Sequence, residues 1–94
     1  MIPLFSNCKT LDLHGVDRDY ARIQINDFIN DLVDMKEEYA IIIHGNGTGI
    51  IKKVTQEALK KNKNVLDYKI DNFNSGQTLV HIRKKAWHFK RFFV

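Results

Sequence analysis

The stretch "YAIIIHGNGTGII", residues 39–51, joins an apolar run to a loop with glycine at every second position. Tyr39 to His44 is almost continuously β-branched or apolar, which predicts a central strand, covered on both sides or lying between two neighbours, that ends at His44. From Ile50 to Lys61 the positions Ile51, Val54, Thr55, Ala58 and Leu59 recur at three- and four-residue steps, which predicts a helix. Lys52, Lys53, Lys60 and Lys61 fall towards the other side of that helix. The glycine loop is therefore a strand-to-helix connection, and the chain around it is built from strand-loop-helix units.

Upstream, "KTLDLHG" alternates Leu11 and Leu13 with Asp12 and His14, predicting a half-buried first strand from Lys9 to His14, stopped by Gly15. Asp17 is a candidate N-cap for a helix whose stripe runs through Ala21, Ile25, Phe28, Ile29, Leu32 and Met35. The outer face of this helix carries Asp27, Asp31 and Asp34 and is expected to turn away from a polyanion. Downstream, "VLDYKID" alternates Leu66, Tyr68 and Ile70 with charged positions, "NFNSG" reads as a turn and "QTLVHIR" as a fourth strand. Two strand-helix-strand units with right-handed crossovers, stepping in one direction, place both helices on one face of the sheet. The order βαβαββ thus predicts an α/β two-layer sandwich.

A chain of 94 residues is expected to be one domain that buries ~60% of its unfolded surface without disulfides or a structural metal. The single cysteine, Cys8, has no partner for an intramolecular disulfide and lies outside any Cys/His metal spacing. The apolar runs are too short to cross a bilayer and the N-terminal sequence lacks the pattern of a signal peptide, so the expected location is cytoplasmic, with no membrane partner. The net charge of +4 hides an asymmetry: residues 1–50 hold four Lys/Arg against eight Asp/Glu, whereas residues 51–94 hold eleven against three. Such a basic pole suits a polyanion such as DNA or RNA, or is a solvated surface. The closing "KKAWHFKRFFV" interleaves four basic residues with Trp87, Phe89, Phe92 and Phe93. Those aromatics suit packing or a homodimer contact better than base stacking. The expected division is an arm over 1–8, a domain over 9–84 and a basic aromatic tail over 85–94.

The glycine loop fits neither common nucleotide signature. A dinucleotide fingerprint needs glycine where Ile50 stands, and a P-loop needs lysine directly after a glycine, whereas Lys52 follows Ile51. What the loop offers is close backbone approach and a helix N-terminus that favours an anion. It is either a phosphate cradle or a turn that merely needs glycine. His14 and His44 each close a predicted strand and each precede glycine, and parallel strands would bring both to one sheet edge, where ligands of open α/β sheets bind. Asp12, two residues before His14, could orient the imidazole or bind a divalent ion. His81 and His88 lack such a setting and are assigned structural roles.

"LDLHG" at 11–15, "IIHGNGTG" at 42–49 and "SGQTLVHI" at 75–82 resemble, in order and separation, the motifs of the Smr (small MutS-related) domain family, over about Leu11 to Arg83. The resemblance implies a fold similar to the C-terminal domain of translation initiation factor 3: a mixed four-stranded sheet of order 1-2-4-3 with strand four antiparallel. The turn Ser75 to Thr78 would then approach the glycine loop. Smr domains are associated with endonuclease activity on DNA, including nicking, and on RNA, as modules or alone. By motif, the resemblance assigns Asp12, His14 and His44 to the catalytic set. One departure stands in the third block, where Asn74, Ser75, Gly76 and Gln77 replace the family's paired glycines and small residue.

Two functional readings follow. In the first the chain is an endonuclease: Gly45, Asn46, Gly47, Thr48 and Gly49 hold a phosphate, Lys52 and Lys53 track the strand, and His14 and His44 act as acid and base. Asp12 orients His14 or holds Mg or Mn, which cleavage of DNA would call for more than cleavage of RNA. In the second the same surface recognises nucleic-acid structure without cutting it.

Overall fold

The computed structural model describes residues 8–83, so most of the expected arm and all of the aromatic tail, with its dimer contact, lie outside the described residues. The elements are β1 (Lys9–Asp12), α1 (Arg18–Asp34), β2 (Tyr39–Ile43), α2 (Ile50–Lys61), β3 (Val65–Asp71) and β4 (Asn74–Ile82). The sheet order is β1-β2-β4-β3, with β1 and β2 parallel and β4 antiparallel to both of its neighbours. The expected two-layer sandwich is the observed one.

The core lies between the sheet and the helices. Leu13, Ala40, Ile42, Val80 and Ile82 meet Ala21, Ile25, Ile29 and Leu32 of α1 and Val54, Ala58 and Leu59 of α2 in one cluster. Alternation sends Ile41 and Leu79, with Tyr39 and Ile43 beside them, to the opposite face, and β2 lies between two neighbours, β1 and β4, one of the two settings its unbroken apolar run predicts. On that face Tyr39 stacks on His81, its register partner, with centroids 4.8 Å apart. Each fully buried Ile or Leu contributes about 1.5–3 kcal/mol. Among the described residues no helix is long and apolar enough to cross a membrane.

Element ends differ from the sequence reading where side chains or bulges capture the backbone. β1 stops at Asp12, not His14: the Asp12 carboxylate accepts the His14 N–H at 2.9 Å and turns the chain out of the ladder. β2 stops at Ile43, one residue before His44. Asp17 does cap α1, its carboxylate accepting the Tyr20 N–H at 3.0 Å. Met35, placed in the helical stripe from its spacing, is the C-cap and 52% exposed. The cause is a Schellman closure: Lys36 takes a positive φ of 62°, and the N–H groups of Lys36 and Glu37 return to the Val33 and Leu32 carbonyls. Leu66 faces solvent because a bulge between Val65 and Asp67 breaks the alternation of β3. The turn read over "NFNSG" contracts to Asn72 and Phe73, and β4 begins at Asn74.

Candidate functional site

Three chain segments meet at one end of the sheet. The first is the end of β1, where the Leu13 N–H still donates to the Ile43 carbonyl at 2.8 Å before His14 and Gly15 turn towards α1. The second is the end of β2, where His44 and Gly45 leave the strand. Gly15 and Gly45 have φ of +77° and +78°, so both His-Gly pairs make the same left-handed exit, which an L side chain at the glycine would oppose. The third is the start of β4. Its Gly76 carbonyl accepts the N–H groups of both His44 (2.9 Å) and Gly45 (2.8 Å), clamping the glycine loop to the β3–β4 hairpin.

That clamp depends on an irregularity. Ile70 pairs with Thr78 but Asp71 pairs with Asn74, so Ser75, Gly76 and Gln77 have no counterparts in β3 and bow out towards the loop. Asp71 anchors the bow: its buried carboxylate accepts the Phe73 N–H at 2.9 Å and the Gln77 side-chain amide at 2.8 Å. These bonds, the backbone one foremost, hold its carboxyl below the ordinary carboxylate range. Gly76 is closely surrounded: a Cβ there would lie 3.2 Å from Asn74 Oδ1, which would have to give by a few tenths of an ångström, and in contact with Gly45 Cα at 3.5 Å. The Ser75 hydroxyl adds a bond to Asn46 Oδ1 at 3.2 Å. The departure from the family's third block therefore still builds a third wall.

The two histidines end in opposite environments. His44 is 6% exposed on the helix side of the sheet. The Gly45 carbonyl can only accept, so Nδ1–H donates to it (2.9 Å), and Nε2 accepts from the Thr78 hydroxyl (2.8 Å). Gln56 of α2 donates in turn to Thr78 Oγ1 at 2.9 Å, which completes a directed chain from helix to loop. Burial pushes the His44 pKa down; the bond to Gly45 opposes this, and the charge of nearby Lys52 adds to it. His44 is thus a neutral imidazole with both nitrogens engaged. His14 is exposed, and its ring makes no hydrogen bond among the described residues.

Asp12 pairs in register with Ile43, whose side chain lies on the open face, away from the side His44 occupies. Its carboxylate fixes the His14 backbone rather than either imidazole. As for Mg or Mn, the described residues hold no group of three His, Cys, Asp or Glu side chains able to bind an ion. The donor set does not make a protein metal cage.

The loop itself runs through exposed Asn46, Gly47 and Thr48 to Gly49, the N-cap of α2, with φ +85°. No side chain at the N-cap bonds to the helix and the first turn has no acidic residue, so the positive end of α2 has no negative charge of its own chain set against it there. The one local bond is from the Ile50 N–H to the Thr48 hydroxyl at 3.3 Å. Lys52 is half-buried close to His44, and Lys53 is exposed one residue further on. Sequence reasoning missed Thr78 and Gln56. The available signal was a polar residue at the inward position of β4 that Val80 and Ile82 otherwise fill with apolar groups.

Comparison with known proteins places this arrangement. The Smr domain matches residues 11–83. The chain is 30% identical over 79 residues to a protein named endonuclease MutS2 from Clostridium acetobutylicum, covering 84% of the chain and 10% of that protein. It is 39% identical over 59 residues to endonuclease MutS2 from Staphylococcus aureus, covering 63% of the chain and 8% of that protein. The chain thus spans about a tenth of the length of these relatives. In fold it resembles the Smr domain of Thermus thermophilus MutS2, with TM-score 0.77 and 24% identity, over 80% of this chain and 98% of that one. It also resembles YdaL, a stand-alone small MutS-related protein from Escherichia coli, with TM-score 0.79 and 21% identity, over 85% and 68% of the two chains.

Proposed function

The chain belongs to the Smr domain family, and from that premise we propose that it is an endonuclease that cuts a DNA or RNA phosphodiester at the end of its sheet. The longer relatives named endonuclease support the reaction class. The observation that carries the proposal is an exposed, unengaged imidazole, His14, at the same sheet end as an uncapped helix N-terminus opened by the glycine loop.

The roles follow from the environments. Backbone N–H groups of Asn46, Gly47, Thr48 and Gly49, with the field of α2, hold the scissile phosphate, while Gly45 turns the loop and keeps its own N–H on the Gly76 carbonyl; Lys52 and Lys53 offset the charge that grows on the phosphate oxygens. His14 moves the proton. On RNA it takes the proton of the 2′-hydroxyl as that oxygen bonds to phosphorus, and the 5′-oxygen leaves with a proton returned from the imidazolium. On DNA the same base acts on a water molecule. Asp12 positions His14 through its backbone, and His44 positions the loop and takes no part as acid or base.

One observation favours the second reading, binding without cleavage: only one of the two imidazoles is free. The test incubates the purified chain and His14→Ala with labelled single-stranded, duplex and branched DNA and with RNA, with and without EDTA. Cleavage by the wild type that His14→Ala loses is the expected result. Binding by both chains with no product from either would establish the module reading instead.

A further inference from the structure

Between the first turns of α1 and α2, adjoining the glycine loop, is a cleft of ≈450 Å³. This is within the roughly 300–1,000 Å³ of small-ligand sites. Its walls are chemically divided. Arg18 and Arg22 of α1 and Lys53 of α2 supply three cations, while Ile50 and Val54 supply an apolar surface on which Ile50 is half exposed. Arg18 lies four residues after His14, and Ile50 directly follows Gly49, so both walls continue from the loops that form the candidate site.

Asp19 holds the two guanidinium groups on one side of the cleft, at 3.6 Å from Arg22 and 3.9 Å from Arg18. All three side chains are more than half exposed, so these ion pairs are weak and a phosphate can take their place. The guanidinium fork matches a phosphate better than an ammonium does. Glu57, also lining the cleft, repels a phosphate and can accept from the amino group of a base. The acidic residues Asp27, Asp31 and Asp34 lie further along α1; at the end facing the site Arg18 and Arg22 stand against Asp17 and Asp19, and with Lys53 the three cations of the cleft exceed its two carboxylates, Asp19 and Glu57.

We propose that this cleft is a second nucleotide subsite. It takes the nucleotide next to the scissile one, with the phosphate on Arg18, Arg22 and Lys53 and the sugar or base against Ile50 and Val54. The proposal rests on reading the adjoining loop as a phosphate site, and it makes the substrate a chain of at least two nucleotides threaded from the loop into the cleft.

The test uses the full chain, labelled single-stranded DNA and RNA oligonucleotides, and fluorescence anisotropy across a salt series. Arg18→Gln/Arg22→Gln should weaken binding at least about tenfold. It should also reduce the salt slope by roughly 1.4, two phosphate contacts at about 0.7 each. Lys60→Gln/Lys61→Gln, at the far end of α2, should leave the slope nearer to wild type. In NMR titrations inorganic phosphate should shift the glycine-loop amides and leave the Ile50 and Val54 methyls unmoved, whereas a dinucleotide should also shift those methyls. Equal losses in the two double variants, or a dinucleotide that leaves those methyls unmoved, would overturn the subsite. His14-dependent cleavage would survive that outcome, whereas failure of the wild type to bind any oligonucleotide would remove both readings.

Discussion

His14 and His44 share a sequence pattern, a strand followed by His-Gly, and a left-handed exit at the glycine, yet they differ in exposure and in hydrogen bonding. The difference arises two residues before His14. The Asp12 carboxylate draws the His14 N–H out of the sheet and leaves the ring in solvent, whereas His44 keeps the inward direction and finds Thr78 and Gln56 waiting. A strand-end histidine is therefore a chemical group or a structural one according to which neighbour captures its backbone. Here the two sit at the same sheet end, His14 facing solvent beside a loop that His44 ties down.

The largest expected effect separates the two directly. His14→Ala should reduce cleavage by about 10²-fold or more while changing unfolding free energy by less than about 0.5 kcal/mol, as measured by single-turnover kinetics and urea melts. His44→Ala should do the reverse. Leaving the buried Thr78 hydroxyl and the loop without partners costs about 1–3 kcal/mol. The loosened loop should raise KM, and the pH profile of kcat should keep its wild-type shape. A His44→Ala chain with an altered pH profile would give His44 a proton-transfer role and end the contrast.

The next effect is smaller and lies within the loop that His44 holds. Gly45 and Gly49 have positive φ, so Gly45→Ala and Gly49→Ala should each cost about 1–2 kcal/mol. Gly47 has no such angle, and a Cβ there meets nothing within 4 Å. Gly47→Ala should therefore change stability by less than about 0.5 kcal/mol. If the loop holds a phosphate, the same methyl stands where the phosphate must approach, and oligonucleotide affinity should fall although the fold does not. Unchanged affinity in Gly47→Ala would reduce the loop to a turn.

Much of this was legible in the chain and some was not, for physical reasons. The unbroken run of β2, the stripe of α2 and the Asp17 cap are local patterns, and each became the element it predicts. So did the two motifs, because parallel pairing of β1 with β2 forces both His-Gly pairs to one edge. The unequal fate of the histidines was hidden because it depends on contacts far apart in sequence: Thr78 is 34 residues from His44, and the Gly76 carbonyl reaches the loop only because β4 bows away from β3. The part played by Arg18 and Arg22 was masked by the acidic residues that dominate α1; only the packing of both helix starts around one cleft sets these two arginines beside Lys53.

The smallest effect tests burial of His44 without removing it. Its pKa lies below the ordinary 6.5 chiefly because burial disfavours the charged ring. The unfolded chain therefore binds a proton that the folded chain resists. The stability this contributes is fully present above about pH 6.5, is lost as pH falls through the depressed folded value, and changes no further below it. Asp71, whose carboxyl is also depressed, contributes in the same sense at lower pH, below its ordinary 3.8, so the two windows are separate. Thermal unfolding from about pH 8 to about pH 5 should show a decline that His14→Ala keeps and His44→Ala loses. A wild-type chain with no decline in that window would mean that the folded protein accepts the proton on His44 as readily as the unfolded one. The ring would then be free enough to serve, with His14, as the second half of an acid-base pair.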